Sequence, residues 1–148
     1  MGVEVLGPLR VDGDDGTLGP RDRIVLAVLV AHRGELVGPE RIADAVWPGQ
    51  PPATWRKVVQ GCIARLRKIL GRGAIETIAR SYRLTLPASE IDAARFEAAA
   101  ARVEELLLLG EPDRAAYLAD ETLRWWRGRP LPELEDWGPG QLVADSCS

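Results

Sequence analysis

The chain is poor in the residues that do most protein chemistry. Among 148 residues there are two cysteines, one histidine, one phenylalanine and two lysines. Cys62 and Cys147 have no framework spacing, so a reducing, cytoplasmic setting without disulfides is expected. With His32 as the sole histidine there is no cluster of metal ligands, and no Ser/His/Asp set assembles around it. The glycine-rich stretches GRGA and DGDDG lack the Lys-Ser/Thr of a phosphate loop. These gaps point away from an enzyme, a metal or a cofactor. No apolar run approaches the roughly 20 residues of a membrane helix; the longest are IVLAVLVA (24–31) and LLLL (106–109). The start, MGVEVLGPLRV, has no basic stretch leading into an apolar one, so neither a signal peptide nor a membrane partner is expected.

What the chain does have is charge, unevenly distributed. The formal net charge is −3, but residues 1–90 carry 13 Lys/Arg against 10 Asp/Glu, and residues 91–148 carry 6 against 12. Between 56 and 83 eight basic residues face only Glu76. Nucleic-acid affinity follows such a local patch rather than the total, because each neutralised phosphate releases counterions. A basic module followed by an acidic one, with different partners, is the expectation.

Periodicity supplies the elements. VEVLGPLRVDG (3–13) reads as paired strands punctuated by Gly7-Pro8, and TLG (17–19) could pair back. A thoroughly apolar helix is predicted over 21–34, stopped by Gly34, then a short strand at ELV (35–37). PERIADAVW (39–47) is a second helix, opened by Pro39 and Glu40 and broken by residues 48–52. A third, long helix covers about 53–70 and ends at Gly71. IETI and YRLTL make a hairpin, with Tyr82, Leu84 and Leu86 alternating with Arg83 and Thr85. Beyond a boundary at 87–90, two helices are predicted over about 92–109 and 112–127, joined at Gly110-Glu-Pro112.

The third helix, TWRKVVQGCIARLRKIL (54–70), carries the functional signal. Advancing about 100° per residue from Val59 places Trp55, Cys62, Ile63, Leu66 and Leu70 in one apolar stripe. Lys57, Gly61, Ala64 and Lys68 fall opposite, flanked by Gln60, Arg65 and Arg67. Two small residues between long cations suit a major groove: the backbone approaches the base edges, while Lys, Arg and Gln reach bases or phosphates. By itself such a face could equally be a solvated basic surface. The order of a helix pair, its second member basic, and then a hairpin with Arg80 near its tip is that of a winged helix-turn-helix. In that arrangement the hairpin meets the backbone or minor groove.

Three stretches, LGPLRV, the run from Arg23 to Leu70, and SYRLTL, resemble the OmpR-type winged-helix domain of the Streptomyces antibiotic regulatory protein (SARP) family. The stretch from Ile91 to Trp137 is similar to the start of that family's bacterial transcriptional activator domain. The resemblance implies an α+β winged helix-turn-helix, with an N-terminal antiparallel sheet, three helices and a C-terminal β-hairpin wing. An all-α, tetratricopeptide-like segment follows. It implies three parts: a DNA-binding domain over 1–88, a truncated activator domain over 89–137 and a loose tail over 138–148. The implied function is transcription regulation, as an activator bound to direct repeats in double-stranded DNA, with tandem or dimeric protomers and RNA polymerase as a partner. By position, recognition-helix contacts fall on Thr54, Arg56, Lys57, Gln60, Gly61, Ala64, Arg65, Arg67 and Lys68, and wing contacts on Arg80 and Ser81. The loop of Trp47, Pro48, Gly49, Gln50, Pro51 and Pro52 corresponds to the polymerase-facing loop; alone it reads as well as a rigid connector. Ser81 stands where the family usually has glycine, so the wing turn is expected to differ. The competing function is a protein-interaction module working through the acidic helical half.

Overall fold

In a computed structural model of the chain, residues 2–128 are described; the expected tail over 138–148 and the last part of the expected helical segment, 129–137, lie outside them. Strands β1 (Val3–Glu4) and β2 (Arg10–Val11) pair antiparallel, Val3 opposite Val11. The following DGDDG closes on itself, the Asp14 carboxylate accepting the Gly16 N–H at 2.9 Å. The segment 17–19, expected to pair back, forms no strand and leads instead into helix α1 (Pro20–Ala31).

Every residue of α1 from Val25 to Val30 is buried. This helix has no solvated face to spare along that stretch, so the other elements pack around it. Helix α2 (Pro39–Val46) buries Ile42 and Ala43, and helix α3 (Trp55–Leu70) buries Val59, Cys62, Ile63, Leu66 and Leu70. A 3₁₀ turn, Arg72–Ala74, leads to the hairpin of β3 (Ile75–Ile78) and β4 (Ser81–Leu84), with Ile75 opposite Leu84 and Ile78 opposite Ser81. Tyr82 and Leu84 are buried, as their alternation predicted. The short strand expected at 35–37 reduces to one residue: Val37 and Tyr82 exchange both backbone hydrogen bonds, at 2.7 and 2.9 Å.

Helices α4 (Asp92–Leu108) and α5 (Pro112–Leu123) follow a second 3₁₀ turn, Ala88–Glu90, and pack on each other through Leu106, Ala115 and Thr122. They are fastened to the N-terminal strands at several points. The Asp92 carboxylate accepts the backbone N–H groups of Val5 (2.7 Å) and Leu6 (3.1 Å), and Ile91 bridges Val3 in parallel. Helix α5 stops short of the expected residue 127 because the chain turns back to those strands. The Arg127 N–H donates to the Leu6 carbonyl at 2.7 Å, and Arg127 Nη2 to that of Pro8 at 2.7 Å. Gly7, at φ 144°, allows this approach, since a Cβ there would lie 2.9 Å from Arg127 Cβ. The adjacent tryptophans divide the joint between them. Trp126 meets Phe96 edge-on with centroids 5.4 Å apart, while Trp125 lies under the Arg95 guanidinium at 4.8 Å.

Candidate nucleic-acid interface

The stripe of α3 opposite its buried face is open to solvent. Arg56, Lys57, Gln60, Ala64, Arg65 and Lys68 are exposed, and Gly61 and Arg67 are half-buried. Thr54, at the N-cap, is exposed too. Long cations thus flank two small residues, Gly61 and Ala64, and the Arg65 guanidinium lies over the first of them. Adding a Cβ at Gly61 would place it 3.5 Å from Arg65 Nη1, an ordinary contact. Nothing within the fold therefore requires glycine at this helical position, where it costs about 1 kcal/mol against alanine.

The basic residues are not equivalent. Arg67 Nε and Nη2 donate to the Ile75 carbonyl (3.1 and 2.9 Å), and Nη2 also to Thr77 Oγ1 (2.7 Å), so this side chain ties α3 to β3. Arg56 stacks over Trp55 at 4.7 Å and pairs with Glu40 at 3.2 Å. Arg65 is anchored at its Nε, which lies 3.0 and 2.9 Å from the two oxygens of Asp22. Burial alone would raise the Asp22 carboxyl. Hydrogen bonds from Arg65, Cys62 and Gly19 and the Arg65 charge outweigh it, holding the group below the ordinary carboxylate range. Burial first, then the Asp22 carboxylate beside it, pushes the Cys62 thiol up to about 11, so it belongs to the core and is no reactive thiolate. A shallow depression of about 480 Å³, lined by Ala64, Arg67, Lys68 and Arg72, continues the basic surface past the C-terminal end of α3.

The hairpin tip projects Ala79 and Arg80, both exposed, at φ 50° and 69°. Two successive left-handed residues make a tight two-residue turn, the conformation for which Asn-Gly is favoured. Here Ala-Arg occupies it, and Ser81 begins β4 immediately after. The loop after α2 begins at Trp47, half-buried beneath the Arg21 guanidinium at 5.7 Å. Pro48, Gly49, Gln50, Pro51 and Pro52 are all exposed. The signal missed in the sequence is Asp22: an acidic residue in the first turn of α1 reads as a helix-dipole partner, with nothing to link it to position 65.

Residues 13–84 match the family described as "Transcriptional regulatory protein, C terminal". The chain is similar to the transcriptional regulatory protein EmbR of Mycobacterium tuberculosis, 32% identical over 142 residues that cover 90% of this chain and 37% of that protein. It is similar to the transcriptional regulator RedD of Streptomyces coelicolor, 28% identical over 150 residues covering 94% and 42%. A third relative is the regulatory protein AfsR of the same organism, 30% identical over 131 residues covering 86% and 13%. The solved structure of Mycobacterium tuberculosis EmbR with a low-affinity phosphopeptide superposes with a TM-score of 0.86 at 30% identity, over 98% of this chain and 41% of that one. The chain therefore spans less than half the length of each of these relatives.

Proposed function

We propose that residues 13–84, which match the family described as "Transcriptional regulatory protein, C terminal", form an OmpR-type DNA-binding domain in a regulator of the SARP type, with α3 as the DNA recognition helix and the β3–β4 hairpin as its wing. The chain then regulates transcription by binding direct repeats near promoters as tandem protomers. The observation that carries this reading is the exposed face of α3, where the small residues Gly61 and Ala64 lie between Lys57 and Lys68, with the Arg65 guanidinium over Gly61. A helix so shaped approaches base edges while its terminal cations reach phosphates or guanines. Arg80, at the strained tip of the hairpin, is placed to meet the sugar-phosphate backbone or minor groove.

Activation through RNA polymerase is the second part of the proposal, resting on the exposed loop of residues 48–52. In this reading residues 1–88 form the DNA-binding domain, and α4–α5 form the first helix pair of a tetratricopeptide-like activator domain. The exposed Leu107, Leu108, Leu109, Tyr117 and Leu123 favour a protein partner for that pair.

Fluorescence anisotropy on duplexes enriched from a random pool tests the assignment. Lys57→Ala with Lys68→Ala removes two exposed cations without disturbing the packing of the fold, whereas Arg65→Ala would strand a buried carboxylate. The double variant is expected to bind more weakly and to lower the log–log salt slope by up to about 0.9 for each phosphate it no longer neutralises. Unchanged affinity and slope would remove α3 from the interface.

A further inference from the structure

Asp22 lies outside the recognition helix, yet it is the residue that fixes how one of the helix's arginines faces outward. Its side chain is 4% exposed, while that of Arg65 is 46% exposed. Asp22 Oδ2 accepts the Gly19 N–H at 3.0 Å, closing the first turn of α1, and both oxygens share Arg65 Nε. Beside this pair, Arg65 Nη2 is 3.6 Å from the Sγ of Cys62, which itself hydrogen-bonds Asp22. Nη1 has no acceptor among the described residues. The guanidinium lies against the helix at Gly61, with Nη1 and Nη2 at 3.5 and 3.8 Å from where a Cβ would be. A buried carboxylate on a core helix thus holds the guanidinium by its Nε, in a side chain that is 46% exposed and whose Nη1 is left without a protein acceptor among the described residues.

Arginine in solution samples many rotamers, and ordering it at an interface costs binding free energy. A guanidinium held by its Nε meets that cost at folding instead. Its remaining edge offers two nearly parallel N–H bonds, which match O6 and N7 of guanine in the major groove. From this geometry we infer that Asp22 is a specificity-positioning residue: it holds Arg65 over Gly61, oriented to read a guanine through Nη1 and Nη2. The inference rests on the proposal that α3 enters the major groove.

The two roles open to Asp22 have opposite signs. If Asp22 acted only as a negative charge beside a basic surface, removing it would strengthen binding to every duplex. If it positions Arg65, removing it weakens binding to the target alone. Full-length wild type and Asp22→Asn are used to select duplexes from a random double-stranded pool. Anisotropy then measures each protein on the wild-type winner, on that duplex with each G·C replaced in turn, and on a scrambled duplex. Asp22→Asn keeps an amide oxygen for the Gly19 N–H but loses the carboxylate charge that holds Nε. The expected result is about tenfold less discrimination at one G·C pair, with affinity for the scrambled duplex equal or higher. Arg65→Lys keeps a cation beside Asp22 but removes the fork, so it is expected to lose the same discrimination. Adding Asp22→Asn to Arg65→Lys should then cost nothing further at that pair.

Enrichment of one motif by wild type and Asp22→Asn alike, or parallel changes on target and scrambled duplexes, would overturn the positioning role and leave the DNA-binding reading intact. Arg65→Lys binding that stays guanine-selective assigns Arg65 to phosphate and overturns it as well. If wild type enriches no duplex, the recognition-helix reading fails and takes the positioning role with it.

Discussion

Asp92→Ala is expected to be among the most damaging single changes in the chain. The carboxylate is buried at the first turn of α4 and accepts the N–H groups of Val5 and Leu6, at 2.7 and 3.1 Å. Truncation strands two buried donors, at about 1–3 kcal/mol each. It also removes a negative charge from a helix N-terminus, worth about 0.3–1 kcal/mol. A loss of about 3–5 kcal/mol follows, a large part of the 5–15 kcal/mol typical of a domain. For a chain of this size the melting temperature should fall by roughly 10 °C. Urea unfolding read by circular dichroism and tryptophan fluorescence measures it, since Trp125 and Trp126 lie at the same joint. Asp92→Asn retains one acceptor oxygen and is expected to lose about half as much. A loss below about 1 kcal/mol for Asp92→Ala would show that water satisfies those two donors and that Asp92 does not hold the joint.

Gly61→Ala should raise stability by about 1 kcal/mol, because the new methyl makes only an ordinary contact with Arg65. It should weaken DNA binding several-fold; unaltered binding would mean that the small-residue centre of α3 meets nothing. Ala79→Asn with Arg80→Gly suits the left-handed turn and should stabilise the protein by about 1–2 kcal/mol, while the loss of Arg80 lowers DNA affinity. A thermal melt that moves down would contradict the strain assigned to the tip. For Cys62 the folded thiol titrates near 11, above its ordinary value of 9.0. Its contribution is therefore complete below pH 9 and is lost as pH rises toward 11, where the unfolded thiol ionises and the folded one does not. On a Cys147→Ser background, stability should fall over that window more steeply than in Cys62→Ala, and native alkylation at pH 8 should be slow. Equal slopes in the two proteins would refute it.

Much of this was legible in the sequence because periodicity dictates burial. The stripe through Val59, Cys62, Ile63, Leu66 and Leu70 is buried as 3.6-residue spacing required, and Tyr82 and Leu84 point inward as two-residue spacing required. What stayed hidden was long-range. Nothing near Asp92 in the chain marks it as the acceptor for Val5 and Leu6, 87 and 86 residues away. The early end of α5 followed from Arg127 meeting Leu6, not from any helix breaker at 124–127. On the candidate interface, spacing placed the basic residues on one side but could not rank them. Arg67 is committed to Ile75 and Thr77, Arg56 to Trp55 and Glu40, and Lys57 and Lys68 stand outward.

The fastening of α4 and α5 to the N-terminal strands has a consequence for anything those helices hold. Asp92, the Val3–Ile91 bridge and Arg127 grip from both ends of the helix pair, so the pair has a fixed compass bearing relative to α3. With α3 in a major groove, a partner docked on α4 and α5 would stand at one angular phase around the duplex. Because the groove turns once in about 10.5 base pairs, two bound protomers would present their helix pairs on the same side of the DNA at whole-turn spacings. At half-turn spacings the pairs would face away from each other.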